Sequence, residues 1–302
     1  SASPTLVRTF RTHSLHRATI DWPSLFAATW PLAYGAQEPA DTYPAIDFAL
    51  TQLNDGHSFF QRPEAAQAVE SGALDSRNRL PTGRLLTPGI AYLHVPDFTG
   101  SAAAATLYAR TLQQLIGAFA ATGPVGWIVD LTDNTGGSMF PMMVGLGPLC
   151  DAEELGAMVS PHGWRINWRY VAGQCIVGPG VCLALDPPIV QLQHRLAPIA
   201  VLIGPSTVSS GELIAVAFRG QALTRSFGQP TAGCSTCNQG YPLSDGAEIF
   251  LTVGVYADRT GQRYGGAIQP DELVVGDQAA LCTAASAWLQ GIMHEQAYPL
   301  AT

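Results

Sequence analysis

From about residue 88 onward, short apolar runs alternate with longer amphipathic stretches. Short apolar or alternating runs between turn residues are typical of strands, and longer alanine- and leucine-rich stretches are typical of helices. The pattern predicts strands at residues 89–95, 125–131, 199–203, 223–227 and 249–256. It predicts helices at residues 102–121, 140–150, 210–219 and 279–293. Strands that alternate with helices indicate an α/β core with some parallel pairing.

The amino-terminal part of the chain, up to about residue 62, has a helical and aromatic character. Asp21 followed at once by Trp22 and Pro23 predicts a helix start, with the aspartate as cap and the proline in the first turn. A second helix is predicted from about residue 41 to 53, where an Asn-Asp-Gly turn ends it. Residues 63–86 are polar, and they predict a loop or a short helix.

We therefore divide the chain into an N-terminal helical region with a loop, residues 1–87, and an α/β core, residues 88–302. The chain of 302 residues is 47% hydrophobic and 13% charged, so it can bury a sizeable core. Its net charge of −8 argues against nucleic acid and anionic membranes as partners, because both need a basic face. The sequence has no apolar run of about 18 residues, so no membrane span is predicted.

The cysteine content indicates a disulfide framework. Six cysteines are present, and Cys175 and Cys182 flank a Gly-Pro-Gly turn that could bring them together. Bridges would fit an exported protein, periplasmic or extracellular. Reduced cysteines buried in the core are the alternative and would be compatible with a cytoplasmic protein.

A second close pair is Cys234-x-x-Cys237. Such a pair is typical of a redox site, half a zinc site or a disulfide. Neither a second Cys-x-x-Cys pair nor a His-x3-His pair accompanies it, so structural zinc is not expected. A bridge that braces the loop, or a free thiol near a reactive centre, is favoured.

One candidate for chemistry is a serine at the start of a helix. The apolar strand at residues 199–203 leads through a short loop to Ser209-Ser210-Gly211-Glu212, where the predicted helix begins. The free N–H groups at a helix start can hold an oxyanion beside a serine hydroxyl. Ser209 with Glu212 three positions later is also an ordinary capping box.

Two more segments could act with this serine. The strand ending at Asp130 continues into a polar, glycine-rich loop that contains Gly136 and Gly137, and this loop lacks the Lys-Ser/Thr ending of a nucleotide-binding loop. His57 follows directly after an Asp-Gly turn. Taken alone, both segments are typical of ordinary turns. Histidine is nevertheless the usual base for a serine nucleophile near neutral pH.

In their order and separations, these segments together resemble the S41 peptidases, which include the tail-specific and C-terminal processing proteases and the tricorn core protease. The resemblance also covers the Gly-Gln-Pro-Thr-Ala-Gly-Cys segment at residues 228–234 and the Gly-Ala-Ile-Gln-Pro-Asp segment at residues 266–271. It extends over most of residues 20–275. The stretch of residues 61–88 is too short for the PDZ module that many relatives carry.

The resemblance implies an α/β fold with a crotonase/ClpP-like β-α spiral core and an N-terminal helical region. It implies that Ser209 is the nucleophile. It also implies that the N–H of Ser210, with the N–H of Gly136 or Gly137, forms the oxyanion hole. The protein would be a serine hydrolase, and we expect a peptidase acting on a peptide or another acyl substrate without cofactor or metal.

The residue expected to act as the base differs from that in the lysine-dyad members of the family. This chain contains no lysine, since all fifteen basic residues are arginine, and Cys234 stands where those members have the lysine. Tricorn-like members use a histidine, and His57 matches its place. The acidic residue that orients that histidine aligns with Tyr264, so Tyr264 is the predicted third member, with Asp258 and Asp271 nearby in sequence.

Two other functions remain open at this point. An acyl-enzyme intercepted by an amine or an internal nucleophile would give acyl transfer or cyclisation on the same machinery. A non-catalytic protein that binds apolar ligands, as in the retinoid-carrier relatives, is the other alternative. The sequence does not indicate whether the protein is a monomer or an oligomer.

Overall fold

The computed structural model of the protein describes residues 2–86, 89–187, 190 and 197–297. Within these residues the chain forms α-helices and two β-sheets, joined by short turns. The helices are α1 (Ala2–His13), α2 (Trp22–Ala33), α3 (Tyr43–Leu53), α4 (Pro63–Glu70), α5 (Ala102–Ala120), α6 (Met139–Leu146), α7 (Ser210–Ala217) and α8 (Gln278–Ala297). The strands are β1 (Phe59–Gln61), β2 (Thr82–Leu86), β3 (Ile90–His94), β4 (Gly126–Asp130), β5 (Glu154–Val159), β6 (Arg165–Val171), β7 (Gln174–Val177), β8 (Gly180–Ala184), β9 (Ile199–Ile203), β10 (Thr224–Gly228), β11 (Thr236–Pro242), β12 (Glu248–Asp258) and β13 (Glu272–Leu273).

The first sheet has the strand order β13-β10-β9-β4-β3-β2. Its strands from β3 to β13 are parallel, and only β2 at the edge runs antiparallel to its neighbour. Parallel neighbours need crossover connections, and α5 and α7 supply two of them. Helices cover both faces, which explains why the central strands β4 and β9 are continuous apolar runs.

The two faces of this sheet belong to different hydrophobic clusters. On one face Ile128 and Leu202 pack with Leu281 and Leu289 of α8. The other face lies in the main core together with α5, α6 and α7. The same main core includes apolar side chains of α1, α2 and α3, so the N-terminal helices share it. The members from these three helices are Leu6, Phe10, Leu25, Ile46, Ala49, Leu50 and Leu53.

The second sheet is antiparallel and has the order β1-β12-β5-β6-β7-β8, with β11 also paired to β12. Strand β12 is eleven residues long and is paired along its length by β11, β1 and β5. The pattern did not predict β5 to β8 or β11. Burial along β6, β7 and β11 is mixed, and β8 is almost wholly exposed, so these four strands lack the apolar runs that identify a core strand. Strand β5 is largely buried.

The predicted α/β class is confirmed, and the predicted helices and strands of the core are present with ends shifted by a few residues. Residues 63–86 form the short helix α4 and also the strand β2. The division after residue 87 stays a prediction. Strands β1 and β2 lie before it in sequence and pair with β12 and β3 after it.

The six cysteines are free thiols in this structure, which contradicts the predicted disulfide framework. In the β7–β8 ladder, Cys175 faces Leu183. The register of the ladder shifts directly after Cys175, and Cys182 has no partner residue on β7. Cys175 is buried and Cys182 is exposed. Among the described residues, none of the helices combines the length and apolar character needed to cross a bilayer.

Candidate active site

Three loops meet at the carboxyl edge of the parallel sheet. They follow β4, β9 and β10, which run side by side in one direction. Since parallel strands end at the same edge, their following loops lie close together, and this edge is the usual ligand position in α/β sheets. The loop after β4 carries Gly136 and Gly137, the loop after β9 carries Ser209, and the loop after β10 leads to Thr236.

Ser209 is the residue just before α7 and has an unusual backbone conformation, with φ 53° and ψ −111°. A non-glycine residue in such a region costs about 1–3 kcal/mol and persists only where its surroundings impose it. Here the Ser209 N–H donates to Glu212 Oε2 at 2.9 Å, and the Ser209 carbonyl accepts from Leu213 N–H at 2.9 Å. Glu212 therefore caps the helix as the sequence indicated, and in doing so it fixes the serine.

Glu212 is fully buried and also binds the loop after β10. Its Oε1 accepts from the Thr231 hydroxyl at 2.5 Å and from Gly233 N–H at 3.0 Å. Burial raises the pKa of this carboxyl, and the hydrogen bonds from Thr231 and the backbone partly oppose that shift. A single carboxylate thus ties two of the three loops together.

His57 reaches this edge from the amino-terminal third of the chain. Its Nε2 lies 2.8 Å from Ser209 Oγ, so the predicted base and the predicted nucleophile are within hydrogen-bonding distance of each other. The turn before it is held by Asp55, whose Oδ1 accepts from the His57 and Ser58 N–H groups at 3.0 and 2.7 Å. Burial lowers the pKa of the half-buried imidazole, and the negative charge of Asp55 acts in the opposite direction.

The other ring nitrogen of His57 does not meet the predicted partner. Its Nδ1 lies 2.6 Å from Thr236 Oγ1. The Tyr264 hydroxyl instead donates to Asp258 Oδ2 at 2.8 Å, so the predicted role of Tyr264 beside the imidazole is corrected. The second nearby acid, Asp271, accepts from the backbone N–H and hydroxyl of Ser226 on β10.

Sequence reasoning missed Thr236. It is one polar residue in a loop that contains several, and it lies 179 positions from His57, so no local pattern links the two. The one available signal was its place shortly after the segment that carries the dyad lysine in other members. The position of Tyr264 in the chain matches that of the acidic residue in other members, but the direction of its hydroxyl toward Asp258 depends on the tertiary structure.

The backbone N–H groups near Ser209 differ in their engagement. Gly136 N–H donates to Asn134 Oδ1 at 3.0 Å. Phe98 and Gly137 form an isolated parallel β-bridge. The donors of its hydrogen bonds are the N–H groups of Phe98 and Ser138, so the N–H of Gly137 takes no part in the bridge. Ser210 is the first residue of α7, where N–H groups have no partner within the helix.

Gly136 lies directly against the serine turn. It has φ +103°, and a Cβ added there would be 3.0 Å from Ser209 Cβ and 3.3 Å from Ser210 N. The loop after β4 is anchored in turn by Ser210 Oγ, which donates to the Gly137 carbonyl at 2.5 Å. Close approach of the two loops therefore requires glycine at position 136.

Cys234, which stands in the place of the dyad lysine, is a partly exposed thiol with its Sγ 3.9 Å from the Gly56 carbonyl. Burial, followed by the negative charges of Glu212 and Asp55, raises its pKa. The thiol is therefore poorly suited to replace lysine as a base.

A family model described as peptidase family S41 matches residues 89–274, and the chain belongs to this family. The resemblance seen in the sequence is thereby confirmed. A curated relative, the nisin-resistance protein of Lactococcus lactis subsp. lactis, is 28% identical over 245 residues, which cover 81% of this chain and 73% of the relative.

Solved structures show the same fold. A lipoprotein from Streptococcus agalactiae superposes with a TM-score of 0.78 at 22% identity, over 96% of this chain and 95% of that one. The photosystem II D1 C-terminal processing protease superposes with a TM-score of 0.59 at 16% identity, over 94% and 96% of the two chains. The α/β architecture expected from the resemblance is confirmed by these structures.

Proposed function

We propose that this member of the S41 family is a serine peptidase in which Ser209 is the nucleophile and His57 is the general base. The observation that carries the proposal is the 2.8 Å separation of Ser209 Oγ and His57 Nε2. This distance is within the reach of direct proton transfer, and the lowered pKa of His57 keeps the imidazole neutral and able to accept a proton near pH 7.

In the first half-reaction, Ser209 Oγ attacks the peptide carbonyl while its proton moves to His57 Nε2. The protonated imidazole then donates that proton to the leaving amine, and an acyl-enzyme remains. Water, deprotonated by the same nitrogen, attacks the ester and releases Ser209. A tetrahedral oxyanion forms in each half.

The proposed oxyanion hole consists of the N–H groups of Ser210 and Gly137. Each such donor stabilises the transition state by about 3 kcal/mol in other acyl-transfer enzymes. Of the two predicted glycines, Gly137 is favoured, because the N–H of Gly136 already donates to Asn134. Gly136 contributes by allowing the close approach of the loop.

Membership of a peptidase family supports peptides as substrates. One curated relative is a nisin-resistance protein, so nisin belongs in a panel of test peptides. Acyl transfer to an added amine has the same first half-reaction as hydrolysis, so the masses of the products with and without the amine distinguish the two reactions. The short Ser209–His57 distance favours catalysis over the apolar-ligand carrier alternative.

A location outside the cytoplasm remains a prediction. The free thiols remove the support that disulfides would have given it. The similarity to a structure described as a lipoprotein supports it.

The decisive experiment is labelling with a fluorophosphonate probe, followed by mass mapping of the modified peptide. We expect one label on Ser209 in the wild-type protein and none in Ser209→Ala. Ser206→Ala is the matched control, because Ser206 is an exposed serine of the same loop, and it should label like wild type. Full labelling of Ser209→Ala would exclude Ser209 as the nucleophile. Hydrolysis of unstructured peptides by the same three proteins then tests the peptidase activity.

A further inference from the structure

The imidazole of His57 is held between two hydroxyl groups. Ser209 Oγ lies at Nε2 and Thr236 Oγ1 at Nδ1, at 2.8 and 2.6 Å. Serine hydrolases usually place a carboxylate at Nδ1, where it can only accept a hydrogen bond. The hydroxyl of Thr236 is neutral and can either accept or donate.

We propose that Thr236 is the positioning residue for the base: its hydroxyl oxygen accepts a hydrogen bond from the N–H of His57 Nδ1 and so holds the imidazole in the tautomer that can take the proton of Ser209. This inference rests on the proposed function of Ser209 and His57. It goes beyond that function by assigning the third position of the site to a neutral side chain.

The tautomer decides whether the site can react. With the proton on Nδ1, Nε2 has a free lone pair and accepts the hydrogen bond of the Ser209 hydroxyl. With the proton on Nε2, the ring would donate to Ser209 Oγ, Thr236 would donate to Nδ1, and no lone pair would face the nucleophile. A carboxylate forbids the second arrangement, whereas a threonine permits both.

The fold fixes Thr236 independently of the imidazole. Thr236 is the buried first residue of β11, where it pairs with Val255 of β12. Two residues further along β11, Asn238 Nδ2 donates to the His57 carbonyl at 2.9 Å. The same strand therefore holds both the ring and the backbone of His57, and its own position is set by the sheet.

A neutral partner also changes the charge balance. The imidazolium formed during the reaction lies beside a hydroxyl rather than a carboxylate, so its formation is less favoured. Asp55 is the acid that acts on His57 through its charge, and it is already bonded to backbone N–H groups. The enzyme should therefore lose activity only at a pH below the ordinary histidine range.

Three substitutions at one position test the proposal. Thr236→Val keeps the shape and removes the hydroxyl, Thr236→Ser keeps the hydroxyl, and Thr236→Asp supplies a group that only accepts. We expect the fluorophosphonate labelling rate to fall about tenfold in Thr236→Val, the loss expected for one hydrogen bond. We expect Thr236→Ser to label close to the wild-type rate, and the pH midpoint of labelling to rise by about one unit or more in Thr236→Asp.

The tautomer itself can be read in the resting protein by nitrogen-15 NMR of labelled histidine. We expect the proton of His57 on Nδ1 in wild type and in Thr236→Ser, and on Nε2 in Thr236→Val. A wild-type proton on Nε2, or a valine variant with the wild-type rate, pH profile and tautomer, would overturn the proposal. Should the valine variant fail to fold, the wild-type spectrum and the serine and aspartate variants still decide.

The labelling experiment and the NMR experiment together distinguish failure of the proposed function from failure of the inference about Thr236. Failure of the proposed function appears as unlabelled Ser209 in the wild-type protein. Failure of the inference about Thr236 appears as the wrong tautomer in a protein whose Ser209 is labelled.

Discussion

Replacing Glu212 by glutamine should loosen the serine turn. The carboxylate accepts a hydrogen bond from Ser209 N–H on Oε2, and hydrogen bonds from the Thr231 hydroxyl and Gly233 N–H on Oε1. A glutamine has one acceptor oxygen. It keeps the larger number of bonds by directing this oxygen toward Thr231 and Gly233, which places its NH2 group against the N–H of Ser209.

The magnitude follows from this single lost bond. A buried donor left without a partner costs about 1–3 kcal/mol. Removal of the buried charge, whose cost is visible in the raised pKa of Glu212, offsets part of that loss. We therefore expect the free energy of unfolding of Glu212→Gln to be lower by about 1–2 kcal/mol. In the wild-type protein, the bond from Ser209 N–H to Glu212 also offsets the backbone strain of Ser209. Its loss in Glu212→Gln should therefore reduce the labelling rate by about tenfold.

The assay is denaturant unfolding at pH 8 combined with the fluorophosphonate labelling rate of the same samples. Glu70→Gln is the matched control, since Glu70 is an exposed glutamate at the end of α4, and it should change neither quantity. If Glu212→Gln unfolds and labels like the wild-type protein, the carboxylate does not maintain the conformation of Ser209. A loss of stability with an unchanged labelling rate would restrict Glu212 to a structural role.

Gly136→Ala should slow labelling by at least about tenfold, because its Cβ would meet Ser209 Cβ and Val208 O at 3.0 Å in addition to the cost of a positive φ. Gly163→Ala has a comparable φ of +86° with no atom within 4 Å, so it isolates the backbone cost and should leave labelling unchanged; equal rates in both variants would contradict the crowding. The lowered pKa of His57 predicts that the labelling rate reaches half of its maximum at a pH below the ordinary histidine value of about 6.5, because only the neutral imidazole accepts a proton. The native state then binds fewer protons at His57 than the unfolded state, so the unfolding free energy should decline as pH falls from about 6.5 through the lower native pKa. His57→Gln should remove that part of the decline, and an identical pH dependence in both proteins would refute the pKa shift.

Much of the parallel sheet could be predicted from the sequence. Strands β4 and β9 are covered on both faces, so burial leaves an uninterrupted apolar run that is visible without any partner. The antiparallel strands β6 to β8 and β11 were missed, because half-buried or exposed residues interrupt the buried ones along them. Strand β5 was also missed, although it is largely buried. Their pairing partners, rather than their own composition, make them strands.

The pair at the centre of the site was predicted from short segments. Alone, Ser209 is typical of a helix cap and His57 of a turn; the order and separation of the segments, which resemble those of the S41 peptidases, indicated the nucleophile and the base. Each of these segments is short and continuous, so it can be identified from the amino-acid sequence. The disulfide prediction was wrong, because a short separation in sequence does not show which residues face each other: Cys175 is buried opposite Leu183, and Cys182 is exposed.

The amino-acid sequence by itself determined the strand–loop–helix unit that presents Ser209 and the type of residue available as its base. The tertiary structure alone decided which side chain lies at Nδ1 of His57. His57 lies 152 positions from Ser209 and 179 from Thr236, and the three meet only because β11 pairs with β12 beside the carboxyl edge of the parallel sheet. Hydrogen bonds depend on distance and direction in space, and contacts across such separations are set by the packing of whole sheets.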